Sequence, residues 1–272
     1  MKSILPIILL LLFITSCQKS EEVAVTTETP ADEPSESGRE FYQIKTYTFG
    51  SDEQVATTDN YLAQAYLPAL KRLGFKNIGV FKQRLNESDT LQKTYVLIPF
   101  SSMDQFLGVE EGLASDSSYL ASGTDYINAT YDQPPYLRIE STLLKAFVDM
   151  PWMKTPNLEG PRSERIYELR SYQSATEAIY VNKVDMFNAG GEVKLFDRLE
   201  FNAVFYGEVI SGSKMPNLMY MTTFSNQESR DAHWKAFGDS PEWNEMKAMP
   251  KYQNNVSKNT KFFLYPTEYS DY

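Results

Sequence analysis

The chain reads as an α+β protein made of two tandem ferredoxin-like (βαββαβ) halves. Three observations predict this. Tyr42-Gln43-Ile44-Lys45-Thr46-Tyr47 matches Tyr167-Glu168-Leu169-Arg170-Ser171-Tyr172 position by position at an offset of 125 residues. Leu73 and Phe75 find counterparts in Leu199 and Phe201, and Phe100-Ser101 in Phe224-Ser225, in the same order and near the same offset. The period is too long for a solenoid and suits a duplicated domain. Finally, in each half short alternating runs bracket helical stretches in the order strand, helix, strand, strand, helix, strand.

In the first half the strands fall at 40–49, 76–83, 93–100 and 136–145. Helical segments occupy 54–73 and parts of 102–128. Pro68 lacks an N–H donor and should break or kink the first helix. In the second half strands are expected at 165–172, 202–210, 218–224 and 261–265. A helix follows over 175–187, with more helix beyond Gly190-Gly191, a pair that bends the chain or lets it approach a ligand closely. Ser225 and Asn226 are good caps for a helix running to Phe237, and Pro241 opens another. The domains are therefore 40–150 and 163–272. The connection 151–162, with Pro151, Pro156, Gly160 and Pro161, reads as an easily cut linker.

A four-stranded sheet with helices on one face leaves its other face bare, and two such faces can cover each other. Strand alternation divides Tyr167, Leu169 and Ser171 from Glu168, Arg170 and Tyr172, and Tyr42, Ile44 and Thr46 from Gln43, Lys45 and Tyr47. If the helices cover the more apolar set, then Glu168, Arg170, Tyr172 and Tyr206 face the other sheet, with Tyr47 and Tyr172 near the pseudo-twofold axis. Such an interior could be a small-molecule cavity with Arg170 as anchor. It could equally be a set of satisfied polar pairs that fixes the register.

Cys17 is the only cysteine and follows Lys2, an apolar run from Ile4 to Ile14, and Thr15-Ser16. The segment resembles a bacterial lipoprotein signal, which implies cleavage after residue 16 and lipidation of Cys17. Eleven residues at ~1.5 Å rise cover only about half of a ~30 Å hydrocarbon core, too few for an ordinary spanning helix. Residues 18–38 hold no Leu, Ile, Phe, Tyr or Trp. They are expected to be a disordered tether (17–39 with the lipidated residue) reaching about 25 Å as a flexible coil. Gln18-Lys19-Ser20-Glu21-Glu22 is similar to the surface-export signal of Bacteroidetes lipoproteins. The expected location is the bacterial cell envelope, on an outer-membrane face that is either periplasmic or surface-exposed.

Four stretches carry a family resemblance: 167–172; Met186-Phe187-Asn188-Ala189-Gly190-Gly191-Glu192; Pro216-Asn217-Leu218-Met219-Tyr220-Met221; and His233-Trp234-Lys235-Ala236-Phe237 with Asp239-Ser240-Pro241-Glu242-Trp243. They resemble the NIPSNAP family. Leu67-Pro68-Ala69-Leu70-Lys71-Arg72-Leu73-Gly74 and Gly79-Val80-Phe81 resemble the first half of its two-domain bacterial members. The resemblance implies a dimeric α+β barrel, closed here within one chain. It implies no particular activity. The first half has no counterpart of the 239–243 stretch, so a site built there would exist once.

The chemistry in reach is limited. There is one histidine, His233, beside Trp234 and four residues before Phe237 on a predicted helix. That is the spacing of a packed face, with a haem ligand or proton carrier as the alternative. No metal-ligand cluster, nucleophile elbow, P-loop or dinucleotide fingerprint appears. With 26 Lys+Arg against 36 Asp+Glu the net charge is −10, and no basic patch favours nucleic acid. The candidate ligand-binding residues are Glu168, Arg170, Tyr172, Asn188, Glu192, Tyr206 and His233. No cofactor is expected, haem being the alternative. The expected function is a non-catalytic module binding a small polar ligand or an envelope protein. The other reading is an oxygenase- or haem-type enzyme.

Overall fold

The computed structural model describes residues 38–87 and 89–272. The signal segment, Cys17 and the tether up to residue 37 lie outside the described residues. The first half contains β1 (Phe41–Phe49), α1 (Asp52–Tyr61), a π-helical turn (Leu62–Tyr66), α2 (Leu67–Arg72), β2 (Gly79–Gln83), β3 (Gln92–Phe100), α3 (Met103–Ala114), α4 (Ser117–Ser122), α5 (Thr124–Ile127) and β4 (Arg138–Ala146). The second contains β5 (Ile166–Gln173), α6 (Glu177–Phe187), α7 (Glu192–Arg198), β6 (Phe205–Ser211), β7 (Asn217–Phe224), α8 (Gln227–Asp239), α9 (Pro241–Ala248) and β8 (Lys258–Pro266).

All eight strands close into one antiparallel barrel, in the order β1-β3-β2-β8-β5-β7-β6-β4. Each half keeps the ferredoxin-like order, β4-β1-β3-β2 and β8-β5-β7-β6. The halves are sewn together at β2–β8 and β4–β6. Closure removes all four sheet edges, the most vulnerable feature of an open sheet.

The strand faces are the reverse of the sequence expectation. The barrel interior is apolar and draws on every strand. It contains Tyr42 and Ile44, Phe81, Leu97, Leu144, Tyr167 and Leu169, Val209, Met221 and Leu264. The polar set points outward, beneath the helices. Tyr47 lies in the core between the first sheet and its helices, and Tyr172 in the equivalent core of the second half, so neither sits on the pseudo-twofold axis. The physical reason is partner supply. The inside of this closed barrel is filled by apolar strand side chains and a few apolar or aromatic residues of the connections, whereas α8 brings Arg230 and Trp234 to Glu168. Buried charge goes where counter-charge and donors exist.

The connection 151–162 is not a loose linker. The Met153 amide donates to Glu40 Oε2 at 2.7 Å and the Lys154 amide to the Val204 carbonyl at 2.9 Å. Met153 and Leu158 are buried in the barrel core. The segment is a strap across the barrel that leaves Trp152 exposed.

Candidate functional site

Of the sequence-predicted residues, Glu168, Arg170 and Tyr172 are brought together, but as a packed polar core, and the other four have separate partners. On β5 the Glu168 carboxylate accepts from Arg170 Nε at 2.7 Å, from Arg230 Nε at 2.7 Å and from Trp234 Nε1 at 2.9 Å. The Arg170 guanidinium lies 3.6 Å from the centre of the Trp234 ring and donates to the Tyr172 hydroxyl at 2.9 Å. Burial opposes ionisation of Glu168, but Arg230 and Arg170 outweigh it and hold its carboxyl below the ordinary carboxylate range. Glu192 is paired with Lys183 at 2.8 Å, both buried. Asn188 closes α6, donating to the Val184 carbonyl and accepting from the Asp149 amide. Tyr206 is buried and stacks on Phe147 and Tyr220. His233 packs against Phe201 and Phe224, with Nδ1 2.6 Å from the Ser229 carbonyl oxygen. That is the packing of a helix-face residue.

The first half holds an open cleft at the equivalent place. It lies between the outer face of β1 and the helices, has a volume of about 770 Å³, and is walled by tyrosines. Local sequence builds it. Ser51 caps α1, its hydroxyl accepting from the Gln54 amide, while the Gln54 side chain accepts from the Gly50 amide. The next turn carries one extra residue, with the Leu67 amide donating to the Leu62 carbonyl, and this π turn separates Tyr61 from Tyr66 on the cleft side. Such single π turns recur at functional sites. Pro68 follows in the first turn of α2, where its missing donor costs least. Across the cleft, the loop after α5 is tied to α1: Gln54 Nε2 donates to the Pro134 carbonyl at 2.9 Å and Thr58 Oγ1 to the Pro135 carbonyl at 2.7 Å.

The rings are ordered against one another. Tyr61 and Tyr126 stack with centroids 3.7 Å apart and planes 4° apart, and Tyr66 stacks on the other neighbour side of Tyr61 at 5.6 Å. The Tyr61 and Tyr119 hydroxyls are 2.9 Å apart. Tyr136 meets Tyr47 edge-on at 6.0 Å. Lys45, half-buried on β1, donates to the Tyr66 hydroxyl at 3.3 Å. Burial lowers the Lys45 ammonium pKa, partly opposed by Glu110. Burial raises the Tyr47, Tyr61, Tyr66 and Tyr126 hydroxyls well above the usual phenol value, so they are neutral donors at physiological pH.

The cleft's walls mix tyrosine rings with the charged Lys45, Glu110 and Arg138, and its size falls in the ~300–1,000 Å³ range of small-molecule sites. A larger groove of about 900 Å³ runs beside α7 and the strap. Its walls mix charges of both signs, among them Asp149, Lys154, Lys194 and Arg198, with Met150, Val193, Phe196 and the sequence-predicted Tyr206. In the second half Tyr172, the counterpart of Tyr47, packs against Phe187 and Tyr220, and Phe196 packs on Tyr220 while lining the groove beside α7. Sequence reasoning passed over Lys45 and the tyrosines of this cleft. The available signals were the density of tyrosines at 119, 126, 131 and 136 and the replacement of Glu168 by Gln43 in the first copy.

Residues 167–271 match the NIPSNAP family model. No curated protein matches the chain. Among solved structures, the chain is similar to a Fusobacterium nucleatum protein provisionally named a monooxygenase, at 8% identity over 84% of this chain and 93% of that one, with a TM-score of 0.54. A Lactobacillus acidophilus protein of the same provisional name aligns at 11% identity over 84% of this chain and 94% of that one, with a TM-score of 0.51. A NIPSNAP family protein of Agrobacterium tumefaciens aligns at 14% identity over 43% of this chain and 98% of that one, with a TM-score of 0.36. The first two likenesses establish the fold, a dimeric α+β barrel closed here within one chain, and the family likeness is carried by residues 167–271.

Proposed function

We propose that the protein is a lipid-anchored binding protein of the bacterial envelope, and that its barrel takes a small, flat molecule into the tyrosine cleft of the first half without transforming it. One observation carries the binding role: a cleft of about 770 Å³ walled by tyrosine rings holds a lysine with no carboxylate at ion-pair distance among the described residues, where the second copy pairs its cation with Glu168. The anchor rests on the Cys17 segment, and the tether would hold the barrel clear of the headgroups.

The binding role is tested by native mass spectrometry of full-length protein purified from its own membranes. A small molecule should copurify with the wild type and be lost from Lys45→Met at unchanged thermal midpoint. Wild-type protein that carries no small molecule, or retention by the variant, argues for a protein-interaction scaffold instead. Oxygen uptake by the loaded protein would overturn the non-catalytic reading in favour of an oxygenase. The anchor is tested separately: Cys17→Ser should abolish labelling by a fatty-acid analogue and release the protein from the membrane fraction. Equal labelling of the two would sink the lipoprotein reading.

A further inference from the structure

The duplication supplies an internal comparison for the cleft. On β5 the cation Arg170 follows its own counter-ion, Glu168, by two residues, and the two lie 2.6 Å apart. On β1 the matching residues are Lys45 and Gln43. Gln43 is neutral, and its amide is engaged with Ser141 Oγ of β4 at 2.8 Å. Among the described residues no carboxylate lies within ion-pair distance of Lys45. Glu110 attracts it only from the exposed side of α3. The first copy therefore keeps the shielded cation and lacks the anion that satisfies it in the second. Lys45 has the Tyr66 hydroxyl and ring as neighbours but no counter-ion; a shielded ammonium without a counter-ion is costly, and an incoming anion lowers that cost.

We propose that the ligand of the cleft is an aromatic monocarboxylate. Its carboxylate pairs with Lys45, in the role Glu168 plays for Arg170, and its ring packs against Tyr119, Tyr126 and Tyr136, the partly exposed rings of the wall. The proposal rests on the reading of the cleft as a binding site and names the ligand class for it. A single charge is specified because Lys45 is the one shielded cation on the walls, Arg138 and Glu110 being exposed there. An aromatic body is specified because the walls are ring faces and edges, which favour offset or edge-on contact with another ring. The neutral Tyr47 and Tyr66 hydroxyls border the same space and are able to donate to carboxylate oxygens.

Calorimetric titration of the full-length protein with 2-naphthoate and with 2-naphthol tests this. Both probes carry the same rings and differ in charge. Naphthoate should bind saturably, and naphthol about tenfold or more weakly, as expected for loss of a charge-assisted contact. Gln43→Glu gives β1 its own counter-ion, so it should weaken naphthoate by a similar factor and leave naphthol unchanged. Lys45→Arg should retain the preference for naphthoate, and Lys45→Met should abolish it. Equal affinity for the two probes, unmoved by Gln43→Glu, overturns the counter-ion inference and leaves the cleft as a site for neutral rings. Binding of neither probe overturns the cleft reading and the inference with it.

Discussion

Glu168 illustrates how one side chain decides the character of a whole half. Its two oxygens accept from Arg170, Arg230 and Trp234, which lie on two different elements, so the residue fastens α8 to β5. Those donors hold its folded pKa below the ordinary carboxylate value, against the opposing effect of burial. A depressed carboxylate pKa stabilises the fold fully above the unfolded value, about 4.3, and loses that contribution as pH falls through the folded value. Glu168→Gln should cost about 3–5 kcal/mol at neutral pH, because it leaves Arg170 buried without its counter-ion and Arg230 with only Asp231. The gap between wild-type and variant urea midpoints should then narrow as the buffer is taken below about pH 4. A gap of constant size from neutral to acid would show that the carboxylate's charge is not what holds the helix down. The same residue explains why the sequence misleads here. Alternation along β5 separates a polar set from an apolar set, but it does not say which set faces helices. Only the fold reveals that Arg230 and Trp234, sixty residues on, are waiting for a carboxylate.

At the level of elements, the sequence is legible wherever local chemistry sets the boundary. Asn226 caps α8, its side chain accepting from the Ser229 amide, and Pro241 opens α9 behind a Ser240 cap, both as composition predicts. Elements drift from prediction where the backbone takes an unusual turn. β6 starts at Phe205 and not near 202, because Glu200 and Asn202 both adopt positive φ and turn the chain before it can extend. The Gly190-Gly191 pair proves to be a tight bend between α6 and α7. Gly191 has φ +90, and a Cβ at Gly190 would lie 2.5 Å from the Met186 carbonyl oxygen. The pair is thus required by helix packing, whatever Asn188 and Glu192 beside it also do. The π turn is the least legible element. Nothing in Leu62-Ala63-Gln64-Ala65-Tyr66 departs from ordinary helical composition, and only Pro68 hints at a disturbance nearby. That turn places two of the cleft's tyrosines, so the site was hidden for the same reason the turn was.

For the molecule as a whole, closure makes the two halves one folding unit. The interior core draws side chains from all eight strands, and the seams β2–β8 and β4–β6 supply backbone bonds that neither half makes alone. The strap adds to this, since Met153 and Leu158 are buried in the shared interior and Lys154 bonds to the segment preceding β6. The repeat in the sequence announced two domains, but a repeat alone cannot distinguish two sheets merely stacked from two sheets joined edge to edge. The difference has a measurable consequence. Stacked but separable domains would melt independently, whereas a closed barrel should unfold in a single calorimetric transition with calorimetric and van't Hoff enthalpies in agreement. A fragment spanning 163–272 has an uncovered apolar sheet face and two open edges, β8 and β6, once its partner is removed. It should therefore associate with a second copy of itself or aggregate, as exposed edges and apolar faces do. Size-exclusion chromatography decides the matter: elution as a stable, folded monomer, or two resolved transitions in the full-length chain, would show that the seams contribute little and that the halves are independent domains.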